Sequence, residues 1–241
     1  MMDDIDAHVR RLWRHRGATL PTPRRGPAQQ LDLDEILGIG IALADADGLP
    51  AVSTRAIAAR LGSTAMALYP YVGTKENLLA LMQDQASAMP AWDDPRDSLA
   101  AALDAWSTAL FEVYVAHPWL TERPWSEASQ GPNEQDWLER LAAILAAWQV
   151  PDARRSTAVT MLYATVRATA ATTAAYQRMS QRGADEWLAR ATSIRAHIPD
   201  FGDRYPRSTA LTPPTPDWRE NPRAALTEAV RLLATALGSA A

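Results

Sequence analysis

Residues 61–79 of this 241-residue chain read LGSTAMALYPYVGTKENLL, and that stretch decides the fold. Gly62 follows an apolar turn and suits a helix C-cap, because glycine enters the left-handed region without a Cβ clash. Ser63 or Thr64 then caps a new helix with Leu68 and Val72 inward. Gly73 stops it, and Thr74 caps the next helix, which carries Leu78, Leu79 and Met82. Pro70 sits inside the short middle helix and removes one hydrogen bond, to the Met66 carbonyl. An interior proline costs ~3 kcal/mol, and a terminal turn loses less. Two readings stand: a tolerated end-of-helix proline, or a stiffened turn that aims Tyr71. Lys75, the only lysine in the chain, opens the helix that follows.

The same grammar repeats upstream. Asp32 is an N-cap with Glu35 three residues on, and Ile36, Ile39 and Leu43 share a face before Gly48 ends the helix. In VSTRAIAARLG, residues 52–62, Ser53 is the cap and Ile57 and Leu61 lie one turn apart. Two short helices joined by LGST make a helix-turn-helix pattern. Its outward residues are Thr54, Arg55, Tyr69 and Tyr71, with Lys75 at the next helix N-terminus. Hydroxyls, a compact cation and a helix N-terminus all suit phosphate oxygens.

Downstream, residues 89–97 form a turn-rich boundary. Long helices are expected over 98–117 and from the Asn133 cap to about 149. The longest runs from Pro151 over 152–182, followed by a shorter one over 185–197. Residues 199–222 are proline-rich, and a last amphipathic helix over 222–237 carries Leu226, Val230 and Leu233 on one face. No strand-like alternation persists, so the chain reads as all-α.

Net charge is −4, which at face value argues against nucleic acid, but its distribution argues otherwise. From His8 to Gln30 the chain carries Arg10, Arg11, Arg14, Arg16, Arg24 and Arg25 with no acid. Pro21, Pro23, Gly26 and Pro27 break that stretch, so residues 1–30 read as a flexible basic arm. The absence of cysteine excludes disulfides and thiolate chemistry. No apolar run approaches the about 18 residues of a membrane span, so a cytoplasmic protein without a membrane partner is expected. No nucleophile–base pair, paired carboxylates or phosphate loop is visible, and the four histidines lack metal spacing. Neither catalytic residues, cofactor nor metal is expected.

Residues 31–91 resemble the N-terminal domain of the TetR family of transcriptional regulators. The ordered set STRAIAARLGSTAMALYPYVGTKENLL, with its Leu68-Tyr69 pair and Lys75, carries the resemblance. The remainder, with HPWL, GPN and a long late helix, is similar to the C-terminal domain of a subgroup some of whose members carry long basic N-terminal arms and sit near antibiotic-export genes. The resemblance implies a three-helix helix-turn-helix domain over 31–91, motif 53–72, and a larger ligand-binding and dimerisation domain over 92–241. It implies a homodimer that binds a palindromic double-stranded DNA operator and is released by a small-molecule effector. Thr54 and Arg55 would touch backbone and base edges. Thr64, Ala65, Met66 and Ala67 would open the recognition helix on the groove floor, Tyr69 and Tyr71 would meet phosphate or thymine methyls, and Lys75 would meet phosphate. Ala65 and Ala67 offer no hydrogen-bonding group, which shifts readout toward Arg24 and Arg25 in an adjacent minor groove. A helical ligand-binding or interaction module without sequence-specific DNA binding is the alternative.

In the second domain Trp106, Tyr114 and Trp125, with Arg167 as a polar anchor, are the residues chosen to line an apolar or aromatic effector site.

Overall fold

The computed structural model describes residues 2–19, 31–91, 97–211 and 218–238, so Arg24 and Arg25 lie outside the described residues. Every regular element among the described residues is helical: α1 (Met2–Leu12), α2 (Leu33–Asp47), α3 (Thr54–Arg60), α4 (Ala65–Val72), α5 (Lys75–Ala86), α6 (Leu99–Ala116), α7 (Pro132–Ala147), α8 (Asp152–Arg178), α9 (Gln181–His197), α10 (Phe201–Arg204), α11 (Pro206–Thr209) and α12 (Asn221–Gly238).

Local side-chain caps set several of these boundaries. The Asp32 carboxylate accepts from the Asp34 amide at 2.9 Å, the Ser53 hydroxyl from Ala56 at 3.1 Å, Thr74 from Asn77 at 3.2 Å and Ser98 from Ala101 at 3.1 Å. Each satisfies a helix-terminal N–H that would otherwise lack a partner. Gly62 takes φ +62°, which lets the chain turn sharply between α3 and α4. Thr64 does occupy the α4 cap position, but its hydroxyl makes no capping bond.

Helices α2 and α4 pack on α5, and α3 packs on α2 and α4, with Ile36, Ile57, Leu68, Val72, Leu78 and Met82 fully buried. In the larger domain α6, α8 and α12 pack on one another, and α7 closes against α5, α6 and α8. Helix α6 corrects one sequence expectation: its 18 residues reach a mean hydropathy of 1.3, long and apolar enough to cross a membrane by length and composition. Here that apolar surface packs inside the protein, with Leu103, Trp106, Leu110 and Phe111 buried.

The expected arm is also corrected over its first part. Residues 2–12 form α1, whose first turn holds Asp3 and Asp4 and whose last holds Arg10 and Arg11, a polarity that matches the helix dipole. Leu12 is buried and Trp13 packs on the core, so α1 docks against α5. Three of the arginines that suggested a solvated arm, Arg11, Arg14 and Arg16, find acids or a carbonyl further along the chain. Arg14 pairs with Asp34, and Arg16 with Asp136.

Candidate nucleic-acid interface and buried cavity

The α3–α4 pair presents a distinct outer surface. Met66 is 77% exposed and Tyr69 48% exposed, with Arg55, Thr64 and Lys75 also exposed. Thr54, at the first position of α3, is half-buried. Tyr71 is half-buried against the core and does not project outward as expected. It lies three residues after the fully buried Leu68, and that spacing puts both on nearly the same helix face. Ala65, three residues before Leu68, is half-buried for the same reason. The centre of the outer surface therefore belongs to Met66 and Tyr69. Lys75 stands exposed at the N-terminus of α5 and supplies the cation of this surface, beside a first turn already capped by the Thr74 hydroxyl.

Pro70 is tolerated near the end of α4, where the Gly73 amide still closes the last turn on Tyr69 at 2.9 Å. The Pro70 carbonyl accepts from Arg11 Nη2 at 3.1 Å. An arginine from α1 thus caps the C-terminal end of α4, a contact without a local sequence signature.

The larger domain encloses a cavity of about 270 Å³ among α5, α6, α7, α8 and the 118–131 connection. Leu110, Leu120, Trp137 and Leu138 supply its apolar wall, Tyr114 and Tyr163 supply two hydroxyls, and Gln83, Glu134 and Arg167 supply polar groups. Burial pushes the Tyr114 hydroxyl up to about 12 and drives that of Tyr163 upward as well, so both stay protonated at neutral pH. Gln83 is held at both ends: its Nε2 donates to Glu134 at 2.5 Å and its Oε1 accepts from Arg123 at 2.7 Å. A wider depression of about 750 Å³ along α5 and α6 has an alanine-rich lining and lies open to solvent.

The four residues chosen for this site fare differently. Tyr114 and Arg167 line the cavity. Arg167 directs Nη2 to the Thr121 carbonyl at 2.8 Å and to the Arg123 carbonyl, so it braces the connection as well as facing the space. Trp106 does not line it. It is fully buried behind the wall, its indole N–H donating to the Trp137 carbonyl at 3.1 Å and its ring edge-on to Trp137 and Tyr163. Trp125 begins a short turn, and its side chain lies outside the described residues.

One residue that sequence reasoning missed joins the two domains. Asp84, near the end of α5 and 4% exposed, accepts from the Asn133 amide at 2.9 Å and the Glu134 amide at 3.3 Å. The carboxylate therefore caps α7 from another helix. The expected cap Asn133 instead donates its side-chain N–H groups to Asp84 at 3.0 Å. Gly131 holds the cap position, where a Cβ would collide with the Asp84 carboxylate.

Burial, only partly opposed by those amides, pushes the Asp84 carboxyl up to about 6 from its ordinary 3.8. A folded-state value above the unfolded one gives a contribution that is full below 3.8 and lost as pH rises through about 6. Asp84→Asn should therefore gain stability relative to the parent protein across that interval. Denaturant unfolding at several pH values checks this, and parallel profiles would contradict it.

No protein-family model matches the chain. It is 32% identical over 221 residues to the HTH-type transcriptional repressor DrrR1 of Streptomyces coeruleorubidus, covering 88% of this chain and 78% of that protein. It is 30% identical over 125 residues to an HTH-type transcriptional regulator of Saccharopolyspora erythraea, covering 48% of this chain and 50% of that one. Among solved structures, ActR of Streptomyces coelicolor in complex with actinorhodin superposes with a TM-score of 0.71 at 22% identity, covering 89% of this chain and all of that one. The TetR regulator SCO7222 of the same organism gives 0.65 at 25% identity, covering 87% and 99%. The chain belongs to the TetR family of helix-turn-helix transcriptional regulators.

Proposed function

We propose that this protein is a repressor that binds a palindromic operator as a homodimer and is released by a small, largely apolar or aromatic effector. One observation carries the reading. A helix-turn-helix with an outer surface of Met66, Tyr69 and Lys75 is joined through α5 and Asp84 to a helix whose first turns wall an aromatic cavity. The repressor name of DrrR1 and the actinorhodin bound to ActR support the two halves of this reading. An effector that favours the released arrangement lowers operator affinity, whereas one that binds both arrangements equally shifts nothing.

The homodimer is supported by the outer surface of α8. Thr157, Thr160, Met161, Ala164, Ala168, Thr172 and Ala175 are exposed and uncharged along its length, and Leu232 of the neighbouring α12 is 61% exposed. A long methyl-rich surface of this kind suits a subunit interface. Two copies would present their α4 helices to half-sites about 34–36 Å apart. Arg24 and Arg25 would reach the flanking minor groove and compensate for the apolar Ala65 and Ala67.

Titration of labelled double-stranded DNA from upstream of the gene tests the contacts. Lys75→Ala and Tyr69→Phe should weaken binding to operator and random DNA alike, and Lys75→Ala should lower the salt slope by ~0.9. Arg55→Ala should in addition relax operator preference by ~1–3 kcal/mol. A parent protein that holds operator and random DNA equally would establish the alternative module, whose one support is the lack of polar readers at Ala65 and Ala67.

A further inference from the structure

The end of α1 and the turn that follows it bond to four other helices, α2, α4, α5 and α7. Arg11 donates to the Pro70 carbonyl at the end of α4. That carbonyl belongs to the last turn, whose acceptors have no partner within the helix, and a guanidinium there also complements the dipole. Arg14, with a side chain only 9% exposed, ties three elements together. It pairs with Asp34 at the start of α2, donates to Gln85 of α5 at 3.2 Å, and donates to the Arg11 carbonyl at 2.8 Å. Arg16 then pairs with Asp136 of α7. Asp136 lies between Gln135 and Trp137, both of which line the cavity. Leu12, buried beside these arginines, anchors the segment to the core.

We propose that Arg11–Arg16 is a positioning strap: it holds the recognition helix α4 in its reading orientation and links that orientation to the cavity wall on α7 through Arg16 and Asp136. The inference rests on the DNA-binding reading above and adds a path of regulation to it. Any displacement of the first turns of α7 by an occupant of the cavity pulls on Arg16. The bonds of Arg14 and Arg11 then carry the pull to the end of α4. This route runs alongside the Asp84 contact, which joins α5 to the same turns of α7.

The diagnostic substitution is Asp136→Ala, because simple electrostatics and the strap give opposite signs. Removing an acid reduces repulsion of a polyanion and should leave DNA affinity equal or higher. With the strap, affinity for the upstream fragment should fall about threefold to fivefold, the upper range for an exposed ion pair, while the unfolding midpoint barely moves. The exchange Arg16→Asp with Asp136→Arg should restore affinity and its ratio over random DNA. Arg16→Ala weakening binding with Asp136→Ala unchanged would make Arg16 a direct phosphate contact and overturn the strap.

Hydrogen exchange provides a test that needs no DNA. Amides of residues 67–69 and 71–73 should exchange faster in Asp136→Ala than in the parent protein, and faster still in Arg11→Ala. Unchanged exchange there would overturn the strap whatever the DNA result. A parent protein that ignores the upstream fragment would instead overturn the DNA-binding reading, with the exchange result still judging the strap.

Discussion

Met66→Glu should abolish operator binding, lowering affinity by two orders of magnitude or more, while leaving the fold intact. Met66 is 77% exposed at the centre of the α4 surface and makes no core contact that a carboxylate would break. Surface changes of this kind usually stay within about 0.5 kcal/mol in stability. Against DNA the same carboxylate meets a dense row of phosphates and acceptor-rich base edges, so it is repelled and desolvated without a partner. Anisotropy titration and thermal unfolding measured together separate the two effects. Operator binding at the parent affinity would remove α4 from the interface.

Trp106→Ala should cost about 3–5 kcal/mol of folding stability, the range for deleting a large buried aromatic. Three separate losses contribute. A side chain with no exposed surface leaves a void, the Trp137 carbonyl loses the indole N–H, and edge-on contacts at 5.8 Å and 5.0 Å to Trp137 and Tyr163 disappear. Both of those neighbours wall the cavity, so effector binding should weaken as well. Trp148→Ala, at a 40% exposed position, is the control and should cost much less. Equal denaturant midpoints for the two variants would contradict the placement of Trp106 as the packing behind the cavity wall.

The division between what the sequence shows and what it hides follows the range of each interaction. Asp32, Ser53 and Thr74 were legible as caps because each bonds an amide two or three residues on. The helix-turn-helix was legible for the same reason: Gly62, Leu68, Val72 and Gly73 act within a few residues of one another. Asp84 gives no such signal, since the amides it caps lie 49 and 50 residues away. Arg14 and Arg16 hide their partners likewise, with Asp136 a full 120 residues beyond Arg16. Helix α1 itself shows no buried stripe, because Ile5 and Val9 are exposed and only Leu12 turns fully inward. Trp106 illustrates a different limit. Periodicity places it on the inner face of α6 together with Leu103, Leu110 and Tyr114, yet only the packing of α7 and α8 decides which of these meets the cavity.

The most direct test is a stoichiometric anisotropy titration of a labelled upstream DNA fragment with the full chain, repeated on a scrambled fragment of equal length. A dimer reading a palindrome through α4 predicts saturation at two chains per site. It also predicts a preference of at least about a thousandfold over the scrambled fragment at physiological salt, with both features lost in Met66→Glu. Equal affinity for the two fragments, or a preference that survives Met66→Glu, would contradict it.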